Sequence, residues 1–241
     1  MNHSKLILAV DLDGTLLHPE PTSIALWGRT RYQYMSRVAA QQLAEISQIF
    51  PIAIATARNA KTVKKLVEQL PEVNFCGFVC ENGLVYRHSL MDLSAPKQDW
   101  SAIAQRLPDW ERIDGYEQCL GLIPPRNVDR PQEALKKVLL NEDKEGFVYR
   151  DGRKIFVYPA RPDKARGLKC LGYSSFISAG NDINDLEMLH AAQYAMTLKS
   201  AHLDVKNLVE MKPGYCSQLV SHIGTEDWLS HILSKSDEFL I

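Results

Sequence analysis

The chain has 241 residues, of which 45% are hydrophobic and 24% are charged, and its formal net charge is -1 at pH 7. This length is enough to bury a full core and suits one large domain with a smaller one. The small net charge indicates no bulk attraction to nucleic acid or to an anionic membrane surface, so we expect neither as a partner. No apolar run approaches the roughly 18 residues that a membrane-spanning helix needs.

The cysteines and the N-terminal residues together predict a cytoplasmic protein. There are five cysteines, an odd number, and no CxxC pair occurs among them. We expect them to be reduced and mostly buried rather than to bind zinc. The first residues lead directly into an apolar strand, without the layout of a signal peptide.

The first part of the chain alternates apolar strands with amphipathic helices. Strands are predicted at residues 5–10, 52–55 and 75–80. A helix is predicted at 36–49, and a second begins after Asn59, which can cap it. This βαβαβ order predicts an α/β fold with a Rossmann-like parallel sheet and helices on both faces. Ligands of such sheets bind beyond the carboxyl ends of the strands.

The pattern changes between residues 86 and 160. A helix near 97–107, an extended stretch at 115–123 and a helix at 130–140 precede a strong hairpin signal at 147–158. This segment is interpreted as a small α+β domain inserted into the first domain.

The earlier alternation returns after the insertion. Helix, strand, helix and strand are predicted in turn at residues 164–171, 175–179, 184–192 and 194–198. The domain prediction is therefore a core of residues 1–85 and 161–241 with an inserted domain of residues 86–160.

Two carboxylates stand where the first strand ends. Asp11 and Asp13 are two residues apart and point the same way in an extended chain. Such a pair is costly unless a cation or a shared proton offsets the charge. One carboxylate can attack a phosphoryl group, the other can exchange a proton with the leaving group, and a divalent cation would neutralise the cluster. The alternative is a plain Asp-Gly turn before a capped helix.

Polar residues also follow other predicted strands. Thr56 closes the second strand, where its hydroxyl and nearby N–H groups could hold a phosphate oxygen. Residues 180–185, Gly-Asn-Asp-Ile-Asn-Asp, offer oxygen ligands suited to Mg²⁺, although some of them also cap a helix. Lys164 stands at a helix start, where cations are uncommon, and is either solvated or a link between nucleophile and phosphate.

These segments, taken together, resemble the motifs of the haloacid dehalogenase superfamily of phosphohydrolases. The segment from Asp11, Asp-Leu-Asp-Gly-Thr-Leu, matches the motif DxDGTL, and Thr56 lies in Ala-Thr-Ala-Arg, which is similar to ATGR. Lys164 lies in a segment similar to DKGxAL, and Asn181 begins one similar to GDxxNDxxML. Glu81-Asn82-Gly83 is typical of the subgroup with an inserted α/β cap domain, which includes sucrose-phosphate and mannosyl-phosphoglycerate phosphatases.

The resemblance implies a role for each matched residue. Asp11 would be the nucleophile and Asp13 the general acid and base. The implied Mg²⁺ ligands are Asp11, the main-chain carbonyl of Asp13, Asn181 and Asp185. The implied phosphate-binding residues are Thr56, Ala57 and Lys164. Candidate substrate contacts are Asn82 and, in the inserted domain, Arg150 and Lys154.

The sequence departs from the family pattern in three places, one of which is that Ala57 and Ala165 replace the glycines that usually follow the threonine and the lysine. Asn181 stands where the family has an acidic residue, which would weaken Mg²⁺ binding unless Asp185, or less readily Asp182, compensates. Residues 18–35 form a longer approach to the first helix than the pattern needs. They are either a solvated loop or a segment that brings Arg29, Arg31 and Tyr32 to the substrate.

The implied activity is Mg²⁺-dependent hydrolysis of a small phosphorylated metabolite through an aspartyl phosphate. A sugar phosphate is expected on family analogy alone. The basic second half of the inserted domain would suit an additional anionic group, or is a solvated hairpin. The alternatives are a phosphomutase or phosphotransferase of the same fold, and a non-catalytic binding protein with a weakened metal site. The sequence does not predict the oligomeric state.

Overall fold

A computed structural model describes residues 6–27, 31–93 and 97–239 of the chain. Arg29, which the sequence suggested as a substrate contact, lies outside these ranges. The chain folds into two compact units. Unit 1 comprises Met1–Met91 and Asp163–Ile241, and unit 2 comprises Asp92–Pro162.

Seven strands form one sheet in unit 1. Their spatial order is β13 (Gly214–Ser217), β12 (Tyr194–Leu198), β11 (Phe176–Ala179), β1 (Ile7–Val10), β4 (Ile52–Ala55), β5 (Phe75–Cys80) and β6 (Val85–Arg87). Neighbouring strands are parallel except for β5 and β6, which are antiparallel. All four residues of β1, β4 and β11 are buried, as expected for parallel strands covered on both faces.

Helices pack on both sides of this sheet, which confirms the predicted α/β class. They are α1 (Arg37–Ile49), α2 (Ala60–Val67), α5 (Lys164–Cys170), α6 (Leu186–Ala191), α7 (Leu203–Glu210), α8 (Ser221–Ser234) and α9 (Ser236–Phe239). The predicted cap of the second helix is present, since the side chain of Asn59 accepts a hydrogen bond from the Thr62 N–H. Short 3₁₀ helices at Glu81–Gly83 and Ile183–Asp185 follow two of the strands.

The approach to α1 is a hairpin rather than a solvated loop. Strands β2 (Ile24–Trp27) and β3 (Tyr32–Met35) pair in antiparallel register. Leu26 and Met35 are buried, while Tyr32 is 48% exposed. Each strand has four residues and lies outside the strand–helix alternation by which the equally short β1 and β4 were predicted.

Unit 2 has its own antiparallel sheet and its own core. The strand order is β7 (Glu111–Ile113), β8 (Leu120–Ile123), β10 (Lys154–Tyr158) and β9 (Phe147–Asp151), accompanied by α3 (Ser101–Gln105) and α4 (Pro131–Asn141). The core includes Trp100, Ile103, Leu120, Leu135 and Ile155. The predicted hairpin and both predicted helices are present. Strand β7 was not predicted, because it is three residues long and two of them are exposed.

None of the helices in the described ranges combines the length and the apolar character needed to cross a bilayer.

Candidate active site

Asp11 lies at the carboxyl end of the central strand of unit 1. Its backbone N–H donates to the carbonyl of Ala179 at 3.0 Å, which continues the pairing of β1 with β11 by one residue. Its side chain is 7% exposed. The parallel register therefore places the Asp11 carboxylate beside the loop that follows β11.

Lys164 joins Asp11 to a second buried carboxylate. The Lys164 Nζ donates to Oδ1 of Asp11 at 2.7 Å and to Oδ1 of Asp185 at 2.6 Å. The side chains of Lys164 and Asp185 are fully buried. This excludes a solvated lysine and explains its unusual place at the first residue of α5, because the ammonium pairs with carboxylates from two other elements.

Burial and the neighbouring charges together set the pKa values of Asp11 and Lys164. Burial, together with the charge of Asp185, raises the pKa of Asp11 to about 7, although the nearby Lys164 ammonium lowers it. Burial by itself would lower the pKa of Lys164, but the charges of Asp11 and Asp185 outweigh that effect and raise this pKa above its usual value. The ammonium is thus held in its charged form and can face an anionic phosphate.

The loop after β11 folds around Asp185. Oδ2 of Asp185 accepts hydrogen bonds from the backbone N–H groups of Asn181 and Asp182, at 2.9 and 3.0 Å. Since its Oδ1 accepts from Lys164, both carboxylate oxygens already have protein donors. Asp185 therefore holds the loop and the lysine in place, and direct metal ligation by Asp185 would compete with these bonds. Asp182 is exposed, and its side chain caps the 3₁₀ helix.

Asn181 approaches Asp11 through the hydroxyl of Thr15. The Thr15 Oγ1 lies 3.0 Å from Oδ1 of Asn181 and 3.4 Å from Oδ2 of Asp11. Gly14 has a φ of 83°, and a β-carbon there would lie 2.3 Å from Nδ2 of Asn181. A glycine is therefore needed both for the turn and for the close approach of Asn181.

The oxygen atoms of Asp11 and Asn181 fit the chemistry of a hard divalent cation. Both converge on one hydroxyl, and carboxylate and amide oxygens are ligands that Mg²⁺ accepts. Within the described ranges, no group of three or more His, Cys, Asp or Glu side chains could hold a metal ion. A cation bound here would therefore depend on neutral oxygens, from the Asn181 amide and the main chain, as much as on carboxylate.

Thr56, Ala57 and Asn82 lie at the carboxyl ends of β4 and β5. Thr56 is buried, and its N–H donates to the Val79 carbonyl at 2.8 Å, while its own carbonyl accepts from the Asn82 N–H at 3.0 Å. Asn82 has a φ of 54°, and its Oδ1 accepts from Nδ2 of Asn184 at 3.0 Å. The two strand ends are thus tied to each other and, through Asn184, to the loop that carries Asp185.

Asp13 pairs with an arginine that the motif comparison did not single out. The Arg58 Nε lies 2.7 Å from Oδ2 of Asp13, and its Nη2 lies 2.6 Å from Oδ1. Arg58 is the last residue of the Ala-Thr-Ala-Arg segment. Its place in a matched motif is the sequence feature that could have identified it as a site residue. The side chain of Asp13 is 45% exposed, which leaves it accessible from the solvent side.

Arg150 and Lys154, the two candidate substrate contacts outside unit 1, belong to the hairpin of unit 2. The Arg150 Nε donates to the carbonyl of Gly152 at 2.8 Å, and the Lys154 Nζ lies 3.1 Å from Oδ2 of Asp151. Both side chains therefore have partners within their own hairpin, and a substrate contact remains a prediction for each.

Residues 8–105 match the sequence model of the haloacid dehalogenase-like hydrolases. None of the curated proteins matches the chain significantly in sequence.

Solved structures with a similar fold cover nearly the whole chain. A Thermotoga maritima protein has a TM-score of 0.71 at 16% identity, over 95% of this chain and 97% of its own. A Thermoplasma acidophilum protein has a TM-score of 0.70 at 15% identity, over 96% and 99%. The sucrose-phosphatase of Synechocystis, solved with sucrose and phosphate, has a TM-score of 0.61 at 17% identity, over 94% and 97%. At these identities the likeness shows the fold alone.

Proposed function

We propose that this chain, whose residues 8–105 match the sequence model of the haloacid dehalogenase-like hydrolases, is a Mg²⁺-dependent phosphatase of small phosphomonoesters with Asp11 as its nucleophile. The observation that carries the proposal is the contact of the buried Lys164 ammonium with Asp11 at 2.7 Å. This contact places a permanent positive charge beside the atom that would attack phosphorus. The incoming phosphate and the nucleophile are both anionic, so they can meet only where such charge is present.

The first step would transfer the phosphoryl group to the protein. An oxygen of the Asp11 carboxylate attacks phosphorus in line, and the bond from phosphorus to the ester oxygen breaks. Asp13 gives a proton to that leaving oxygen, so the alcohol departs neutral. Lys164, the Thr56 hydroxyl and the N–H of Ala57 would hold the remaining phosphate oxygens.

The second step would return the nucleophile to its starting state. Water attacks the phosphorus of the aspartyl phosphate and loses a proton to Asp13, and the Asp11 carboxylate leaves as inorganic phosphate is released. One water molecule is consumed, and Asp13 is protonated again for the next cycle. A magnesium ion held by Asp11, Asn181 and the main-chain carbonyl of Asp13 would neutralise charge on the phosphate.

A sugar phosphate or a related derivative is the substrate class that we propose. One similar structure is a sucrose-phosphatase, and phosphatases of this superfamily act on small phosphorylated compounds. In unit 2, Arg150 is exposed and Lys154 is half-buried. Such cations would suit a substrate that carries a further anionic group.

The test is Mg²⁺-dependent release of inorganic phosphate from 4-nitrophenyl phosphate and from a panel of phosphorylated metabolites. We expect turnover with both kinds of substrate, strongest with sugar phosphates, and none with Asp11→Asn. Wild-type rates for that variant would overturn the mechanism. A preference for phosphoproteins or nucleotides would overturn the substrate class.

Asn181 is the one observation that favours a different class of function. An amide in place of a carboxylate removes a negative charge from the candidate metal site, as a binding protein with a decayed site would show. Magnesium-dependent release of phosphate from 4-nitrophenyl phosphate would exclude that alternative. A phosphomutase or phosphotransferase would instead pass the phosphoryl group to an alcohol, and little inorganic phosphate would appear.

A further inference from the structure

Asp13 and Arg58 form a two-point ion pair. Nε and Nη2 of the guanidinium contact different oxygens of the carboxylate, at 2.7 and 2.6 Å. A carboxylate held by one contact can still rotate about its terminal bond. Two parallel contacts from a planar guanidinium set the plane of the carboxylate as well as its position.

Arg58 is itself anchored at its main chain. Its N–H donates to the Thr56 Oγ1 at 3.2 Å, and its carbonyl accepts from the Glu81 N–H at 3.0 Å. Its side chain is 11% exposed, whereas that of Asp13 is 45% exposed. The arginine is therefore the fixed member of the pair, and Asp13 is the member that needs a support.

The pair leaves Asp13 able to exchange a proton. Each carboxylate oxygen has two lone-pair sites, and Arg58 takes one on each oxygen. The remaining sites are open to a leaving-group oxygen or to water on the exposed side. A pairing that fixes the plane also fixes the direction of these open sites.

We propose that Arg58 is a positioning residue that aims the Asp13 carboxylate at the leaving-group oxygen. This inference rests on the proposed phosphatase function and adds to it the residue that orients the acid. Arg58 forms no bond to the substrate in this role. Its effect is confined to the proton transfer: Asp13 gives its proton to the ester oxygen as the bond from phosphorus to oxygen breaks.

The proposal predicts an effect that depends on the leaving group. An alkoxide is a poor leaving group and must be protonated as it departs, whereas 4-nitrophenolate departs without a proton. Loss of Arg58 should therefore slow phosphoryl transfer from alkyl phosphates, and it should leave the rate of phosphoryl transfer from 4-nitrophenyl phosphate nearly unchanged. A general structural defect would slow both substrates by the same factor.

The experiment compares kcat/KM for the best alkyl phosphate of the metabolite panel with kcat/KM for 4-nitrophenyl phosphate. This parameter reports the steps up to the first irreversible one, which is the phosphoryl transfer. We expect Arg58→Ala to lose about 100-fold with the alkyl phosphate and less than about fivefold with the aryl phosphate. Arg58→Lys keeps the charge but cannot make the planar two-point contact, so it should lie between Arg58→Ala and wild type.

Two controls separate a positioning role from a loss of charge or of folding. Arg106→Ala removes an arginine that pairs with Glu142 in unit 2, at 2.5 Å, and should leave both substrates at wild-type values. In an Asp13→Asn background, Arg58→Ala should have no further effect on the alkyl phosphate, because the group that it orients is already gone.

Equal losses with both substrates, faster alkyl hydrolysis or additive effects with Asp13→Asn would each overturn the positioning role while leaving the phosphatase intact. If wild type releases phosphate from neither substrate, the proposed function itself fails, and the inference fails with it. If Arg58→Ala does not fold, Arg58→Lys takes its place. It is then measured with both substrates, alone and in the Asp13→Asn background.

Discussion

Gly14 and Asn181 approach so closely that a β-carbon on Gly14 would lie 2.3 Å from Nδ2 of Asn181. The turn after β1 and the loop after β11 therefore meet at a point with no space for a side chain. Any side chain at Gly14 must displace the amide group of Asn181, which carries one of the oxygen donors of the candidate metal site.

Gly14→Ala should abolish Mg²⁺-dependent turnover. Two effects disfavour alanine at this position: the left-handed backbone at φ 83° and the close contact with Asn181. Gly172→Ala is a matched control, since Gly172 has a φ of 87° and open space around its β-carbon position. Both variants should lose about 1 kcal/mol of unfolding free energy from backbone strain, measured by urea denaturation. Only Gly14→Ala should also lose activity, and equal activity in the two variants would contradict this.

Lys164→Met should destabilise the protein strongly as well as inactivate it. Removing the ammonium leaves the buried carboxylates of Asp11 and Asp185 without their shared cation. Loss of one partner of a buried ion pair costs about 3 to 5 kcal/mol. Lys169→Met, at an exposed position of the same helix, should cost less than about 1 kcal/mol. Denaturant titrations of both variants give the comparison, and similar losses would mean that the lysine is not paired as described.

Asn181→Asp should strengthen Mg²⁺ binding by about tenfold or more, because a second carboxylate then faces the cation beside Asp11. Without the metal the same charge repels Asp11, so the variant should be less stable than wild type. Thermal unfolding with and without saturating Mg²⁺ should therefore rank the two proteins in opposite order. Unchanged affinity in calorimetric titration would show that residue 181 does not face the ion.

His18 should make stability depend on pH. Burial, together with the neighbouring His222, lowers the pKa of His18 to about 4, although the charge of Glu20 opposes this. As pH falls below about 6.5 the unfolded chain takes up a proton that the folded protein does not, so stability falls until about pH 4. The free energy of unfolding should fall by about 2 to 3 kcal/mol between pH 7.5 and pH 4.5.

The comparison with His18→Gln isolates this contribution. Glutamine can keep a donor near the Thr225 hydroxyl, which lies 2.7 Å from Nε2 of His18, but it does not titrate. The stability difference between wild type and variant should therefore shift in favour of the variant by the same amount as pH falls. A difference that stays constant with pH would show that His18 protonates equally well in both states.

The sequence alone predicted those strands and helices of residues 5–198 whose signal is local, and it did not predict α7, β13 or α8. The apolar run before Asp11, the Asn59 cap and the hairpin around residues 147–158 each depend on neighbours a few residues away. Strands β2 and β3 escaped prediction because they lie outside the strand–helix alternation by which the equally short β1, β4 and β11 were predicted. The motif order led to Asp11, Thr56, Lys164 and Asn181 as candidates, and their catalytic roles remain predictions.

The tertiary structure decided which of these groups meet. Lys164 and Asp11 are 153 residues apart in the chain, and Arg58 and Asp13 are 45 apart. No local pattern specifies that both carboxylate oxygens of Asp185 accept hydrogen bonds from the protein. Nor does a local pattern specify that Arg58, rather than a solvent cation, pairs with Asp13. Such partners follow from the order and register of parallel strands, which bring distant strand ends to one edge of the sheet.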